Sequence, residues 1–580
     1  MKRAVIVFMS VMLTLSLLLS GCGGAGNTKS GTESDKTSVQ AEGSTVAEES
    51  GSAANVNPAG VFPIVKEKIT LSAFIPHEAI VSEYLNNDAT IELEKRTNIK
   101  LDFIDVPLDG VAEKKRLLLA SGDYPDIFML GESQAFTNED IMLYGSNQKI
   151  FLPINDLIEK YGDEVKKRLE SVDTLRGDMT TPDGNIYGLP VYEIAYHTTW
   201  SQKMWMNQAW LDKVGLKLPE TTDELYTVLK AFKEQDPNGN KKADEIPLTG
   251  AAKWNNGQPQ HFLMNAFIYT NRNNFFFVKD GKLDYAPSQP EWKEGLKFMN
   301  KLYNEGLLDP AAFTQTMAQV KTLATNPEGT VIGAVTTLHP GHFTVISDEP
   351  QNALHKDYVA VPPLKGPQGA QYAAYFYGIQ GAGFVITNKC KNPEAAFRLG
   401  DYFYGEEGTI LITEGLEGKT WRKAEEGEKD IMGRPAKYTR IVYTHVAGAA
   451  HNYNWGNSMF RNRGSEFDGL RGYYTYDQDV TKANGYETRL FQETKNKYAG
   501  KEPEEVYTSV FLPPESTDEA FQLKVNLEDY VNQSMVRFIS GDMDIEKDWD
   551  AYLKKLEDMN LSKYLEIYGK AYEQKVSQSK

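Results

Sequence analysis

The sequence predicts an α/β fold arranged as two lobes, and three observations carry that prediction. Residues 69–130 run in the order strand, helix, strand, helix, strand, the pattern of a parallel sheet covered by helices. Further runs of both kinds recur as far as residue 404, which suits a second α/β lobe joined to the first by several crossings. The chain then closes on amphipathic helices over 525–575.

Lys2 and Arg3 precede an apolar run over 4–19, followed by Leu19-Ser-Gly-Cys22. A run that short, charged only on its N-terminal side and ending in small residues, reads as a signal peptide of the lipoprotein kind, not a membrane span. Residues 1–22 are therefore expected to direct export, with lipid (palmitate) on the Cys22 thiol at the extracellular face of the cell membrane. Residues 23–60 are Gly, Ser, Thr, Ala and Glu with almost no apolar side chains, so a disordered tether is expected there and the folded body over 61–580. Cys22 and Cys390 are the only cysteines. With the first lipidated, no internal disulfide is possible and the core must hold the body together. Cys390 reads as a buried or neutral thiol.

Within the body, Ile69-Thr-Leu-Ser-Ala-Phe is a first strand, 89–97 a helix, Ile99-Lys-Leu-Asp-Phe-Ile a second strand, 111–120 a helix and Asp126-Ile-Phe-Met-Leu a third strand. Tyr187-Gly-Leu-Pro-Val-Tyr is short and extended, and is expected to be the first crossing into a second lobe that includes 191–400. Thr221-Thr-Asp-Glu224 is a capping box, so a helix is expected over 222–235 with Leu225, Val228, Leu229 and Phe232 inward. Residues 292–303 and 393–404 have helical spacing, whereas Val331-Ile-Gly-Ala-Val and Gly383-Phe-Val-Ile-Thr read as buried strands. Helices over 525–540 and 544–559 follow, the second with Trp549, Tyr552, Leu553, Leu556 and Met559 in one core-facing stripe.

The formal charge is −18 at pH 7. Phosphate backbones demand a basic surface, so nucleic acid is not expected as a partner. The same acidity weighs against a highly anionic glycan.

Asp236-Pro-Asn-Gly-Asn-Lys-Lys-Ala-Asp-Glu245 places oxygen-bearing side chains at the first, third, fifth, ninth and tenth positions of one tight loop. Ca2+, a hard cation with roughly six to eight oxygen ligands, needs that density. Asp236, Asn238, Asn240, Asp244 and Glu245 supply side-chain oxygens, and the Lys242 carbonyl takes the seventh position. The loop departs from the EF-hand, which has glycine sixth and a bidentate glutamate twelfth where this chain has Lys241 and Pro247. A solvated polar turn is the competing reading. A bound ion would be structural, fixing the exit of the preceding helix at its partly negative C-terminus.

This loop, its helix and the Trp205-Met-Asn-Gln-Ala-Trp block resemble the large sugar-binding lipoproteins of bacterial ABC importers, the LipO-like and alginate-oligosaccharide-binding proteins among them. Phe538-Ile-Ser-Gly-Asp-Met-Asp and Trp549-Asp-Ala-Tyr extend the likeness. The resemblance implies a two-lobed periplasmic-binding-protein-like fold with hinge crossings and a ligand cleft. It implies structural calcium at Asp236, Asn238, Asn240, Lys242, Asp244 and Glu245, and an oligosaccharide and ABC permease subunits as partners. The expectation is a lipid-anchored monomeric receptor and not an enzyme.

Sugars present flat apolar faces edged by hydroxyls, so their receptors stack aromatic rings on the faces and aim amides and charges at the rims. Trp200 and Trp205 follow the expected crossing, and Trp254 lies among Asn255, Asn256 and Gln258. Tyr375 and Tyr377 alternate along an expected strand, and Trp421 follows Glu417-Gly-Lys-Thr. Trp455 sits in His451-Asn-Tyr-Asn-Trp-Gly-Asn457, shortly before Arg461 and Arg463. The candidate ligand residues are therefore Trp200, Trp205, Trp254, Tyr375, Tyr377, Trp421, Trp455 and Arg461, with core packing as the alternative for the aromatic ones. No convincing nucleophile elbow, zinc motif or phosphate loop appears. Abundant carboxylates keep a surface polysaccharide-degrading enzyme as an alternative, and a peptide-binding receptor is another.

Overall fold

The computed structural model describes residues 51–578, except 132–133, 173, 194, 253–254, 272–273, 377–378, 443–449, 457–459, 461 and 465–469. The expected signal peptide, Cys22, Trp254, Tyr377 and Arg461 lie outside the described residues. Residues 51–60 already belong to the folded body, a correction to the start expected at 61. The reason is Arg398, whose buried guanidinium donates to the carbonyls of Asn57, Pro58 and Val61. A buried cation needs several acceptors, so it pins a segment whose composition alone reads as linker.

The body opens with β1 (Ile69–His77), α1 (Asp88–Thr97), β2 (Ile99–Pro107), α2 (Val111–Ser121) and β3 (Ile127–Met129), in the expected order. β1 pairs in parallel with both β2 and β3. Side chains alternate with the strand period of two: Leu71, Ala73 and Ile75 enter one core layer with Ile127 and Met129, while Phe74 and Phe128 enter the other. β4 (Leu189–Glu193) still belongs to this sheet, so the chain is clear of it only by residues 195–203. That corrects the crossing expected at Tyr187.

The second lobe takes β5 (Met204–Asn207), α3 (Thr222–Glu234), β6 (Ile246–Thr249), a hairpin of β7 (Phe276–Lys279) and β8 (Lys282–Tyr285), α4 (Pro290–Asn304), β9 (Ile332–Thr336) and β10 (Tyr358–Val361). Its four-stranded sheet has the order β10-β5-β9-β6. The capping box of α3 forms as expected: the Glu224 amide donates to the Thr221 hydroxyl at 3.2 Å and the Glu224 carboxylate accepts the Thr221 amide at 3.1 Å. Leu225, Val228, Leu229 and Phe232 are all buried beneath it.

Residues 362–376 lead back toward the first sheet, which β11 (Ile379–Ile386) joins antiparallel to β3 and to β4. This stretch of the second lobe therefore ends before Ile379, whereas 191–400 is expected to belong to it throughout. After α5 (Pro393–Tyr404), a ribbon of β12 (Trp421–Lys423) and β13 (Tyr438–Arg440) and then β14 (Asn462–Gly464) complete a mixed six-stranded sheet and its appendage, in the order β14-β4-β11-β3-β1-β2. The parallel pairing expected from the first five elements thus holds for β1, β2 and β3, and the later arrival of β11 makes the completed sheet mixed. Strand direction after a long crossing is set by the return path and leaves no local periodicity.

A third crossing, 474–485, leads to α6 (Tyr486–Lys497), α7 (Pro514–Ser540), α8 (Trp549–Asp558) and α9 (Leu561–Gln578) in the second lobe. On α7, Glu528 turns one carboxylate oxygen into the interior near Tyr285 and Tyr564, where it has no hydrogen-bond partner among the described residues. Burial pushes its pKa up to about 7. The folded state keeps this proton where the unfolded chain has released it, so stability falls as pH rises from the ordinary carboxylate range through about 7. Glu528→Gln should remove that component of the slope. Urea melts of both proteins across this window measure it, and equal slopes would contradict the assignment.

Candidate ligand cleft and metal loop

The first two crossings run side by side where the lobes meet. The Phe376 amide donates to the Thr199 carbonyl at 2.7 Å, and the Trp200 and Tyr375 rings meet edge-on at 5.4 Å. Lys203 closes the first crossing: its buried ammonium donates to the carbonyls of His197 and Trp200, and burial presses its pKa down to about 7. Residues 506–511 make an excursion from the second lobe toward the first, where Phe511 packs and the Val510 carbonyl accepts from the Asn138 amide at 3.0 Å.

A cavity of about 500 Å³ opens among these segments. The first lobe lines it with Asn138, Tyr187 and Gly381, the crossings with Ser201, Gln202 and Tyr375, and the second lobe with Asn271, Asn274, Tyr564 and Tyr568. At Gly381 an added Cβ would lie 2.0 Å from the Phe136 carbonyl oxygen, so only glycine lets β11 pass this close. Among the described lining residues Glu139, Asp178 and Lys524 alone carry charge, and Asp178 is already paired with Lys575 of α9. Amides, hydroxyls and rings in this proportion can hydrogen-bond a hydroxylated, uncharged molecule and cover its apolar faces.

The sequence candidates divide sharply. Tyr375 lines the cavity, although it lies in irregular backbone before β11 and not on the expected strand. Trp200 stands behind it, 5% exposed, with its indole N–H donating to the Glu502 carboxylate at 3.0 Å. Trp205 is a correction: it is fully enclosed on β5 in the second-lobe core, its N–H donating to the Thr337 carbonyl. Trp455 is another, enclosed in the first-lobe core among the edges of Tyr84, Phe103 and Phe403, with its N–H on the Thr90 hydroxyl at 2.8 Å. Its amide-rich loop is buried because its polar groups find partners. Asn87 donates to the Asn454 carbonyl and the Trp455 amide to the Ile412 carbonyl, each at 2.8 Å. Trp421 lies half-buried on the ribbon, edge-on to Tyr438 and outside the described cavity lining. Asn271 and Asn274 were missed, although Asn271-Arg-Asn-Asn274 carries the same amide-cluster signal as the loop around Trp254. Tyr564 and Tyr568, four apart on a helix, look like any core stripe.

The loop following α3 curls through left-handed backbone at Asp236, Gly239 and Lys241, with φ of 49°, 76° and 62°. The curl sets the Asn238 and Asn240 amides 3.0 Å from the Asp244 carboxylate. From outside, Lys213 holds the Pro237 carbonyl at 2.9 Å and Lys242 pairs with Glu328 at 2.6 Å. One oxygen of Glu245 is buried without a partner among the described residues, and burial, reinforced by Asp244 and Asp236, pushes its pKa up. The oxygens of both amides now accept the backbone N–H groups of Asn240 and Lys242, at 3.0 and 2.7 Å, so presenting them to an ion requires the loop to rearrange around it. A cation there would relieve the Glu245 burial and the repulsion among the carboxylates, so the donor set fits a hard ion. Among the described residues no group of three or more His, Cys, Asp or Glu converges as a metal cluster, so that fit depends on the amide and carbonyl oxygens.

Residues 78–410 match the family of bacterial extracellular solute-binding proteins. Over 527 residues the chain is 29% identical to the fructooligosaccharide ABC transporter substrate-binding protein FusA of Streptococcus pneumoniae, spanning 88% of this chain and 91% of that one. It is 26% identical to lipoprotein LipO of Bacillus subtilis over 472 residues, 79% of this chain and 83% of LipO. Solved structures of FusA with kestose, and of a FusA EF-hand mutant with fructo-nystose, are 27% and 26% identical. Both match with a TM-score of 0.68 over 88% of this chain and 100% of theirs. A family match over more than half its length, on two sheets joined by repeated crossings, means that the chain belongs to the bacterial extracellular solute-binding proteins.

Proposed function

We propose that this protein captures a neutral oligosaccharide between its lobes and delivers it to an ABC importer. The cavity at the crossings carries the reading, because its described walls are amides, hydroxyls and aromatic rings with little free charge. Its volume of about 500 Å³ lies within the range usual for small-molecule sites. The likeness to a fructooligosaccharide-binding protein supports the ligand class. Contacts from Asn138 and Tyr187 on one side and Asn271 and Asn274 on the other are made together only when the lobes are shut. Ligand therefore shifts the population toward closure, and the permease subunits read the shut surface.

Titration calorimetry with kestose, maltotriose and a trimer of galacturonic acid tests this. Saturable one-to-one binding of a neutral trimer without new reducing ends is the expected result. Turnover would favour the polysaccharide-degrading enzyme, and displacement by peptides the peptide receptor. Tyr375→Ala should weaken sugar binding by about 10- to 100-fold, the loss of one stacked ring and the wall it forms with Trp200. Unchanged affinity would move the site elsewhere.

The same reading gives the loop a structural Ca2+ held by Asp236, Asn238, Asn240, Asp244, Glu245 and the Lys242 carbonyl. The ion supplies positive charge among these oxygens, while the chain's own part is to present them at the exit of α3. A free ion at 100 times its Kd stabilises the fold by about 2.7 kcal/mol. Chelation should lower the melting temperature accordingly, and Ca2+ but not Mg2+ should restore it. Insensitivity to chelator would remove the ion from the account. Among the described residues no helix is long and apolar enough to cross a membrane. Attachment is assigned to lipid on Cys22, with the receptor monomeric at the extracellular face, and Cys22→Ser should release it into the medium.

A further inference from the structure

A second pocket, of about 210 Å³, lies in the second lobe between the segment after β6 and the C-terminal half of α7. We propose that it binds a single neutral sugar ring or a cyclic polyol of that size, at a site separate from the cleft. At about 30 Å³ per water molecule it has room for several, yet it falls below the roughly 300 Å³ where drug-sized sites begin. Its polar walls are Gln258, Gln260, His261 and Asn532, closed by Phe313 and Val536, and no Asp, Glu, Lys or Arg is among its described lining. An uncharged ligand is therefore the one it fits.

The hydrogen bonds fix which atoms face it. Gln258 donates its Nε2 to the Ala252 carbonyl at 2.6 Å, which leaves its Oε1 as the acceptor. That oxygen receives His261 Nε2 at 2.7 Å and Gln260 Nε2 at 3.3 Å. Gln260 cannot turn over, because its oxygen would then oppose the oxygen of Gln258. Its side chain is thereby locked with Oε1 presented as an acceptor; the residue is only 5% exposed, and that oxygen has no donor among the described residues. A buried acceptor without a donor is costly, and a ligand hydroxyl supplies what it lacks. Phe313 offers an apolar surface for the C–H face of a ring, and Asn532, exposed on α7, stands at the rim.

The test uses D-glucose, D-fructose and myo-inositol as probes, titrated into the Tyr375→Ala protein so that the cleft contributes little. Saturable binding of at least one probe is expected, weakened about tenfold or more by Gln260→Leu and by Asn532→Ala, the latter on an exposed position that tolerates change. Gln260→Leu should leave oligosaccharide affinity in the otherwise unaltered protein unchanged, and a soaked crystal should show a ring on Gln260 Oε1. Absence of binding by all three probes, binding indifferent to both substitutions, or ordered water alone in the pocket would overturn the proposal. Failure of the oligosaccharide reading would leave this test intact, since the probes are single rings and the substituted residues lie outside the cleft.

Discussion

Lys575→Met is expected to destabilise the protein by about 3–5 kcal/mol, the range for removing one partner of a buried ion pair. Lys575, on α9, reaches Asp178 in the short helix Leu175–Met179 of the first lobe. It also donates to the Thr508 hydroxyl at 2.8 Å and the Ser509 carbonyl at 2.7 Å. Both charged side chains are nearly enclosed, 12% and 7% exposed. Without the ammonium, Asp178 would keep a buried charge, and one of its oxygens already lacks a hydrogen bond among the described residues. Removing both charges should cost much less, so Lys575→Met with Asp178→Leu should recover most of the loss. Urea midpoints of the wild type, the two single variants and the double variant measure this. A single-variant loss below about 0.5 kcal/mol, the level of an ordinary surface change, would mean the pair does not hold α9 to the first lobe.

Trp455→Ala should cost about 3–5 kcal/mol as well, by a different route: an emptied core site. Three aromatic edges and a hydroxyl surround the indole, so little can collapse into the space. Under conditions where the variant remains folded, its oligosaccharide affinity should match that of the wild type. Chemical denaturation and calorimetry on the same samples separate the two effects. Near-normal stability with lost binding would return Trp455 to the ligand site from which its burial removes it.

That contrast explains what was legible in the sequence. Elements with a periodic signal were readable, as with the capping box at Thr221 and Glu224 and the buried face of α3. The direction of β11 was not, because it depends on where a long crossing returns. Among candidate ligand residues, chemistry was readable but position was not. Trp455 lies in an aperiodic, amide-rich loop, yet the backbone amides of Glu83 and Gly456 donate to the Asn452 and Asn454 side-chain oxygens and the ring goes inside. Tyr375 has no better local signal, but the meeting of two crossings leaves it beside the cavity. The tether's end was misread for a similar reason: Arg398 captures Asn57 and Pro58 from more than 300 residues away in sequence.

The passages at 195–203, 362–376 and 474–485 make both lobes discontinuous in sequence. No uninterrupted gene fragment can encode either lobe. Exchanging a lobe between two molecules would require all three connections to be rethreaded at once, so the topology opposes domain-swapped dimers. A protease cut in any one passage would likewise leave the halves joined covalently by the other two.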